Sequence, residues 1–398
     1  MPRIALHYVL PACLALTACT GTTNSPMSRG EADASNDARA GSGGGGGRNS
    51  GADARLDAPI PQTGWLTVRG NKITTADGKP LRVRGANLGD TRSCNACTGA
   101  APNPDGLKRW ADELVDNWGA TFVRFLLESH QSAEGYRSHW RNIVDDPGYY
   151  ADVQEVVNHI TSKPGVYVMV TLFIDPTMNQ RDTGPRAEWP TDATMPVYRK
   201  LAEAFATNPQ VLFGLMNEPH GPPEDNSALA AIFNRAITEI RTVETARRVP
   251  QHIIVAQAAQ DYARDASYWI GSPLTAGGGT NIAYEVHPYN PKTDFDRLVV
   301  QPSQRIPLII GEFGPFSYSP ELTMDDDDIL ALMDLAEEND IPYAGWMFHQ
   351  RCPPSMLEDV GGDGYDGCGF TGAGTVFTWQ PTAWGTLFKN RLARPWRE

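Results

Sequence analysis

Short apolar runs alternate with amphipathic stretches from Trp65 to the end of the chain, and eight of the runs read as strands. They are Leu81–Asn87, Thr121–Leu127, Val166–Ile174, Val211–Asn217, His252–Ala256, Ile282–His287, Pro307–Glu312 and Tyr343–Phe348. Short runs rich in Val, Ile and Leu, bounded by turn or polar residues, predict strands covered on both faces. Helical periodicity fills most gaps. Asn226 is a candidate N-cap, and beyond it Leu229, Ile232, Phe233, Ala236, Ile237 and Ile240 share one face. Near Thr323 a second helix opens, with Asp325–Asp328 ahead of Ile329, Leu332, Met333 and Ala336. Four successive aspartates suggest a metal, but acids at a helix start offset the macrodipole and need none. Before the first strand, Trp65–Val68 and Lys72–Thr74, followed by Asp77-Gly78-Lys79-Pro80, predict a small hairpin with a turn.

Eight strands alternating with helices predict an α/β fold of one catalytic domain, a (β/α)8 or TIM barrel. A doubly wound sheet is the rival. It would carry a glycine-rich phosphate loop after its first strand, whereas Gly43–Gly47 lies outside the fold and Gly277–Gly279 precedes a strand.

Composition changes this picture at the N-terminus. Met1-Pro2-Arg3 is basic, and Ile4–Leu16 is apolar but too short to span a bilayer. Leu16-Thr17-Ala18-Cys19 resembles a bacterial lipobox, in which cleavage leaves a lipid-bearing Cys19; an ordinary signal peptide is the alternative. The segment from Thr20 to about Pro59 is dominated by Gly, Ser, Ala, Asn and Asp, with too little apolar surface to fold. The expected organisation is therefore a signal over 1–18, a flexible tether over 19–60 and a barrel over 61–398. It implies an extracytoplasmic protein, lipid-anchored or secreted. The net charge of −13 disfavours nucleic acid and anionic membrane as partners. An oxidising compartment favours disulfides among Cys94, Cys97, Cys352 and Cys368. Local pairs, 94–97 and 352–368, are expected over the two crossed alternatives.

In a barrel the site lies at the C-terminal ends of the strands. Those ends supply Asn87, then Arg124 with Glu128 and His130 beyond it, then Asp175. Asn217-Glu218-Pro219, Gln257, His287-Pro288-Tyr289, Gly311-Glu312-Phe313-Gly314 and Trp346 complete the rim. A glutamate at the end of a buried strand is costly unless it is paired or used. Two of them, Glu218 and Glu312, are what glycosidic hydrolysis requires: a proton donor and a nucleophile.

In this order the motifs resemble glycoside hydrolase family 5, the large cellulase family, over essentially all of residues 65–398. Lys79–Asn87 matches that family's entry into the first strand. The resemblance implies a retaining enzyme with Glu218 as acid/base and Glu312 as nucleophile. Arg124 and Tyr289 would hold Glu312 ionised, Asn217 would bind the sugar 2-OH, and His287 would lie near the acid/base. Trp346 would be a floor for the sugar ring. It implies a polysaccharide substrate, most directly β-1,4-glucan with mannan, xyloglucan or another β-glucan open, no cofactor or metal, and a monomer. Trp140 and Trp189 are candidates for stacking on further sugars, with packing at least as good a reading. One departure stands out: the family usually has a histidine at the end of the third strand, where Phe173 lies here, and His130 is a candidate to occupy similar space. The acidic, glycine-rich loop Asp359–Gly367 invites a calcium reading, although its spacing fits no EF-hand; a stapled rim loop is the better reading. A non-catalytic carbohydrate-binding lipoprotein is the rival function, and the intact glutamate pair argues against it.

Overall fold

The computed structural model describes residues 64–90, 104–128, 130–131, 140–174, 186, 188–259, 262–350, 352–358 and 379–397. The unit that carries the fold runs from Pro59 to Glu398. Eight parallel strands close a barrel in chain order: β1 (Arg84–Gly89), β2 (Phe122–Glu128), β3 (Tyr167–Ile174), β4 (Val211–Gly214), β5 (Ile254–Ala256), β6 (Ile282–Val286), β7 (Leu308–Ile310) and β8 (Tyr343–Gly345). Each overlaps one of the eight apolar runs, so the expected (β/α)8 barrel is the observed fold.

Side chains on alternate positions of each strand face the interior. The lower interior is apolar, with Phe122, Met169, Leu212, Val255, Ala283, Ile309 and Ala344 in one buried cluster. Ile73 of the antiparallel hairpin Thr67–Arg69/Lys72–Thr74, and Leu66 just before it, join that cluster. The hairpin predicted from sequence therefore plugs the barrel's lower end. A larger apolar shell lies between the strands and the helices outside them.

The helix Asn226–Arg247 starts at its predicted position and buries Leu229, Phe233, Ala236, Ile237 and Ile240, with Ile232 partly buried. Its cap differs from expectation. A 3₁₀ turn, Pro223–Asp225, runs straight into the helix, so Asp225 is the N-cap and Asn226 is the first helical residue. The Asn226 side chain instead accepts from Ala259 N–H at 2.9 Å and donates to Pro223 O at 3.1 Å, bracing the segment after β5. The aspartate run behaves as predicted. Asp325 caps Asp326–Glu338, with reciprocal bonds between Asp325 and Asp328.

A second charged cluster lies where β8 meets β1. Glu337, 2% exposed, accepts from Arg84 Nη1 at 2.6 Å, Arg391 Nε at 2.9 Å and Tyr343 Oη at 2.8 Å. It joins the first and last strands to the helix Ala383–Leu392. Among the described residues no helix is long and apolar enough to cross a membrane. The signal, the tether, Cys94, Cys97, Cys368, Asp175 and the Asp359–Gly367 loop lie outside the described residues, as do the side chains of Glu128, His130 and Trp140.

Candidate active site

Two residues above the apolar layer, the same inward positions become polar. Phe122 is followed by Arg124, Val255 by Gln257, Ala283 by Glu285, and Met169 by Thr171; all four successors are buried. Glycine makes the space. A Cβ on Gly214 would lie 2.2 Å from Thr171 Oγ1, and one on Gly311 would lie 1.6 Å from Glu285 Oε1. The register pairs Asn87 with Arg124 across β1 and β2. Local alternation and missing side chains thus open a buried polar chamber at the C-terminal end of the barrel.

Arg124 is its centre. Its guanidinium, fully buried, donates from Nη1 to Asn87 Oδ1 and to Glu312 Oε1, both at 2.8 Å, and from Nη2 to Asn217 Oδ1 at 2.7 Å. Nε lies 2.7 Å from Glu285 Oε1 as an ion-pair contact. Asn87 is itself oriented by donating to Gly311 O at 2.9 Å and Gly345 O at 3.2 Å. Asn217, with its oxygen committed to Arg124, keeps its amide NH₂ for another acceptor.

The two strand-end glutamates differ in setting. The Glu312 side chain is 5% exposed and also accepts from Tyr289 Oη at 3.2 Å. The Glu218 side chain is 22% exposed. Its backbone is left-handed, at φ 44°, and its N–H donates to Gln257 Oε1 at 2.6 Å. His287 joins the pair, with Nδ1 2.8 Å from Glu218 Oε1 and 3.6 Å from Glu312 Oε2. Burial, and then the charge of Glu218, push the Glu312 carboxyl up to about 7 against the pull of His287 and Arg124. Since the two carboxyls interact, that proton belongs to the pair. Burial works to lower the His287 pKa, but Glu312, Glu218 and Glu285 outweigh it and hold the imidazole up at about 9.

Glu218, His287 and Glu312 offer donor atoms within 4.8 Å of one another. Arg124 already supplies a buried cation to this cluster, so the set reads as acid–base chemistry rather than as metal ligation.

The structure thus brings Arg124, Asn217, Glu218, His287, Tyr289 and Glu312 into one bonded group. Trp346 is adjacent but covered. It is 4% exposed, and the Phe173 ring stacks on it at 5.7 Å between centroids and 29°. The phenyl at the position of the family's usual histidine therefore serves as a lid on Trp346. Trp189 is packing: 1% exposed, it donates from Nε1 to His220 O at 2.8 Å and lies under Arg186.

Two acids were missed. Glu188, on the loop after β3 with φ 62°, is pushed up to about 8 by burial and then by the charge of Glu218. Glu285 sits inside β6, and a charged residue within the apolar run Ile282–His287 was the available signal.

A closed parallel barrel whose strand ends present two close carboxylates, one held by arginine and tyrosine, is an arrangement found in glycoside hydrolases. Residues 75–351 match the family described as Cellulase (glycosyl hydrolase family 5), and the chain belongs to that family. It is 24% identical over 306 residues to the endoglucanase MaCel5A of Microbulbifer sp. (strain ALW1), spanning 73% of this chain and 52% of that one. It is 23% identical over 352 residues to the endoglucanase CelA of Streptomyces lividans, spanning 84% and 65%. The chain thus covers about half to two thirds of the length of these relatives. In fold it is similar to the cellulase Cel5C_n, with a TM-score of 0.61 and 21% identity over 84% of this chain and 93% of that one.

Proposed function

We propose that the chain is a retaining, endo-acting β-glycosidase whose first substrate is a β-1,4-glucan. The observation that carries this is the pair of carboxylates, Glu218 and Glu312, with oxygens within 4.8 Å of each other. Retaining pairs sit about 5–5.5 Å apart, whereas inverting pairs need roughly 6.5–9.5 Å to admit a water. Glu312, fixed by Arg124 and Tyr289, attacks the anomeric carbon. Glu218, the more exposed, gives its proton to the leaving oxygen and then takes one from water. Asn217 donates its free NH₂ to the sugar 2-OH. The endoglucanase names of the relatives support glucan ahead of mannan.

The test is hydrolysis of carboxymethylcellulose, mixed-linkage β-glucan, mannan and xyloglucan, with products sized over time and followed by NMR. Oligosaccharides of mixed length from glucan, first appearing as the β-anomer, are expected. An α-anomer at early times rejects the retaining mechanism, and release of one small product alone rejects endo action.

We further propose export as a lipoprotein cleaved before Cys19, supported by Leu16-Thr17-Ala18-Cys19 and by the unfolded composition that follows it. Cys19→Ser is expected to move the protein from the membrane fraction to the soluble one; membrane association that survives the change rejects it.

A further inference from the structure

The charged layer holds one carboxylate more than a donor and a nucleophile require. Glu285 is 1% exposed on β6 and two residues before His287, so both side chains enter the barrel interior. Burying an ionised carboxylate is costly unless its partners are close. Glu285 Oε1 has two, Arg124 Nε at 2.7 Å and His287 Nε2 at 3.0 Å. Burial would raise its pKa, but Arg124, His287 and Gln257 outweigh that and lower it. The room for it exists because residue 311 is glycine.

We propose that Glu285 is a positioning residue of the acid–base machinery: it holds a proton on His287 Nε2, so that the doubly protonated ring donates from Nδ1 to Glu218 Oε1. This rests on the reading of Glu218 as the acid/base. With Oε1 occupied as an acceptor, the carboxyl proton of Glu218 is confined to Oε2, the oxygen without an imidazole on it. That proton passes to the glycosidic oxygen, and the carboxylate left behind stays paired with the imidazolium until water reprotonates it. His287 keeps both protons throughout.

The groups around His287 come from four elements. Glu218 follows β4, Gln257 follows β5, Glu285 is on β6 and Glu312 follows β7, while Arg124 of β2 stands behind Glu285 and Glu312. Gln257 offers the one competing arrangement. Its Oε1 accepts from Glu218 N–H, which turns its Nε2 toward His287 Nε2 at 3.1 Å. A bare Nε2 would accept from Gln257 and leave a neutral ring. It would also set a lone pair against the Glu285 carboxylate, which with Glu312 at 3.6 Å from Nδ1 favours the cation instead.

The test is nitrogen NMR of the full chain with labelled histidine, His287 being assigned by its loss in His287→Gln. At pH 7.5 both ring nitrogens of His287 are expected to be protonated in the wild type, and only one in Glu285→Gln. The same variant should shift the alkaline limb of kcat/KM on polysaccharide to higher pH by on the order of one unit, because a neutral ring no longer favours the Glu218 carboxylate. Glu285→Asp should restore part of that shift. A neutral His287 in an active wild type overturns the proposal, and so does a Glu285→Gln variant with unchanged spectrum and pH profile. A doubly protonated His287 in a protein that hydrolyses no β-glycan overturns the glycosidase reading instead.

Discussion

Single side chains here are separated by what their loss leaves behind. Glu312→Gln keeps the shape of the site, and Arg124 retains the Glu285 carboxylate 2.7 Å from Nε, so the fold should survive while the nucleophile is gone. Turnover is expected to disappear with the thermal midpoint little changed, as measured by product release and differential scanning calorimetry. Glu218→Ala should lose about 10²- to 10⁴-fold on polysaccharide, the usual worth of a positioned proton donor. It should lose much less on aryl glycosides whose leaving groups need no proton; equal losses on both would remove Glu218 from that role. The titrating groups also predict a pH dependence of stability. His287 at about 9, Glu188 at about 8 and Glu312 at about 7 are all raised above their unfolded values. Between pH 6 and 9 the unfolded chain therefore binds fewer protons than the folded one, and stability should fall as pH rises. The contribution of His287 is full below about 6.5 and lost through about 9. Thermal melts that stay flat from pH 6 to 9 would contradict the raised values.

Elements position these side chains through close backbone approach, and glycine marks where. Gly85 in β1 faces β2, and a Cβ there would lie 1.7 Å from the Phe122 carbonyl oxygen, a backbone atom that cannot swing away. Gly85→Ala must push β1 from β2 and with it separate Asn87 from Arg124. A cost of about 1–3 kcal/mol or more is expected from overpacking, together with lost activity. Gly271→Ala, where nothing lies within 4 Å, is the control and should be near neutral in the same denaturation assay. The eight strands were legible because each is a short apolar run, and Glu218 and Glu312 because they end such runs. Glu285 was not, because strand ends mark the site in sequence and this residue lies two positions before His287. Its role depends on barrel register, which brings Arg124 across from another strand and which no local pattern encodes. The same applies to Trp346: an aromatic at a strand end looks like a sugar platform until the fold sets Phe173 against it.

At the scale of the whole molecule, two of the buried ionic clusters among the described residues have different work. The upper one, around Arg124, lies at the C-terminal end of the barrel and holds groups whose proton occupancy matters to chemistry. The lower one, around Glu337, ties Arg84 and Tyr343 at the β1–β8 closure to Arg391 of the last helix. Conserving charge balance matters in both, but only the upper cluster contacts the proposed acid and nucleophile. Glu337 pairs with Arg84 and shares Arg391 with Asp334, so Glu337→Gln would leave the buried Arg84 guanidinium without its carboxylate. Removing one partner of a buried pair costs about 3–5 kcal/mol, far above the roughly 0–1 kcal/mol of exposed pairs such as Lys79–Asp77. The expected outcome is a clearly lower thermal midpoint, with kcat and the pH profile unchanged at temperatures where the variant stays folded. Lys79→Ala should change neither. If Glu337→Gln altered the pH profile while folded, the two clusters would be coupled through the barrel, and the division between a chemical upper end and a structural lower end would fail.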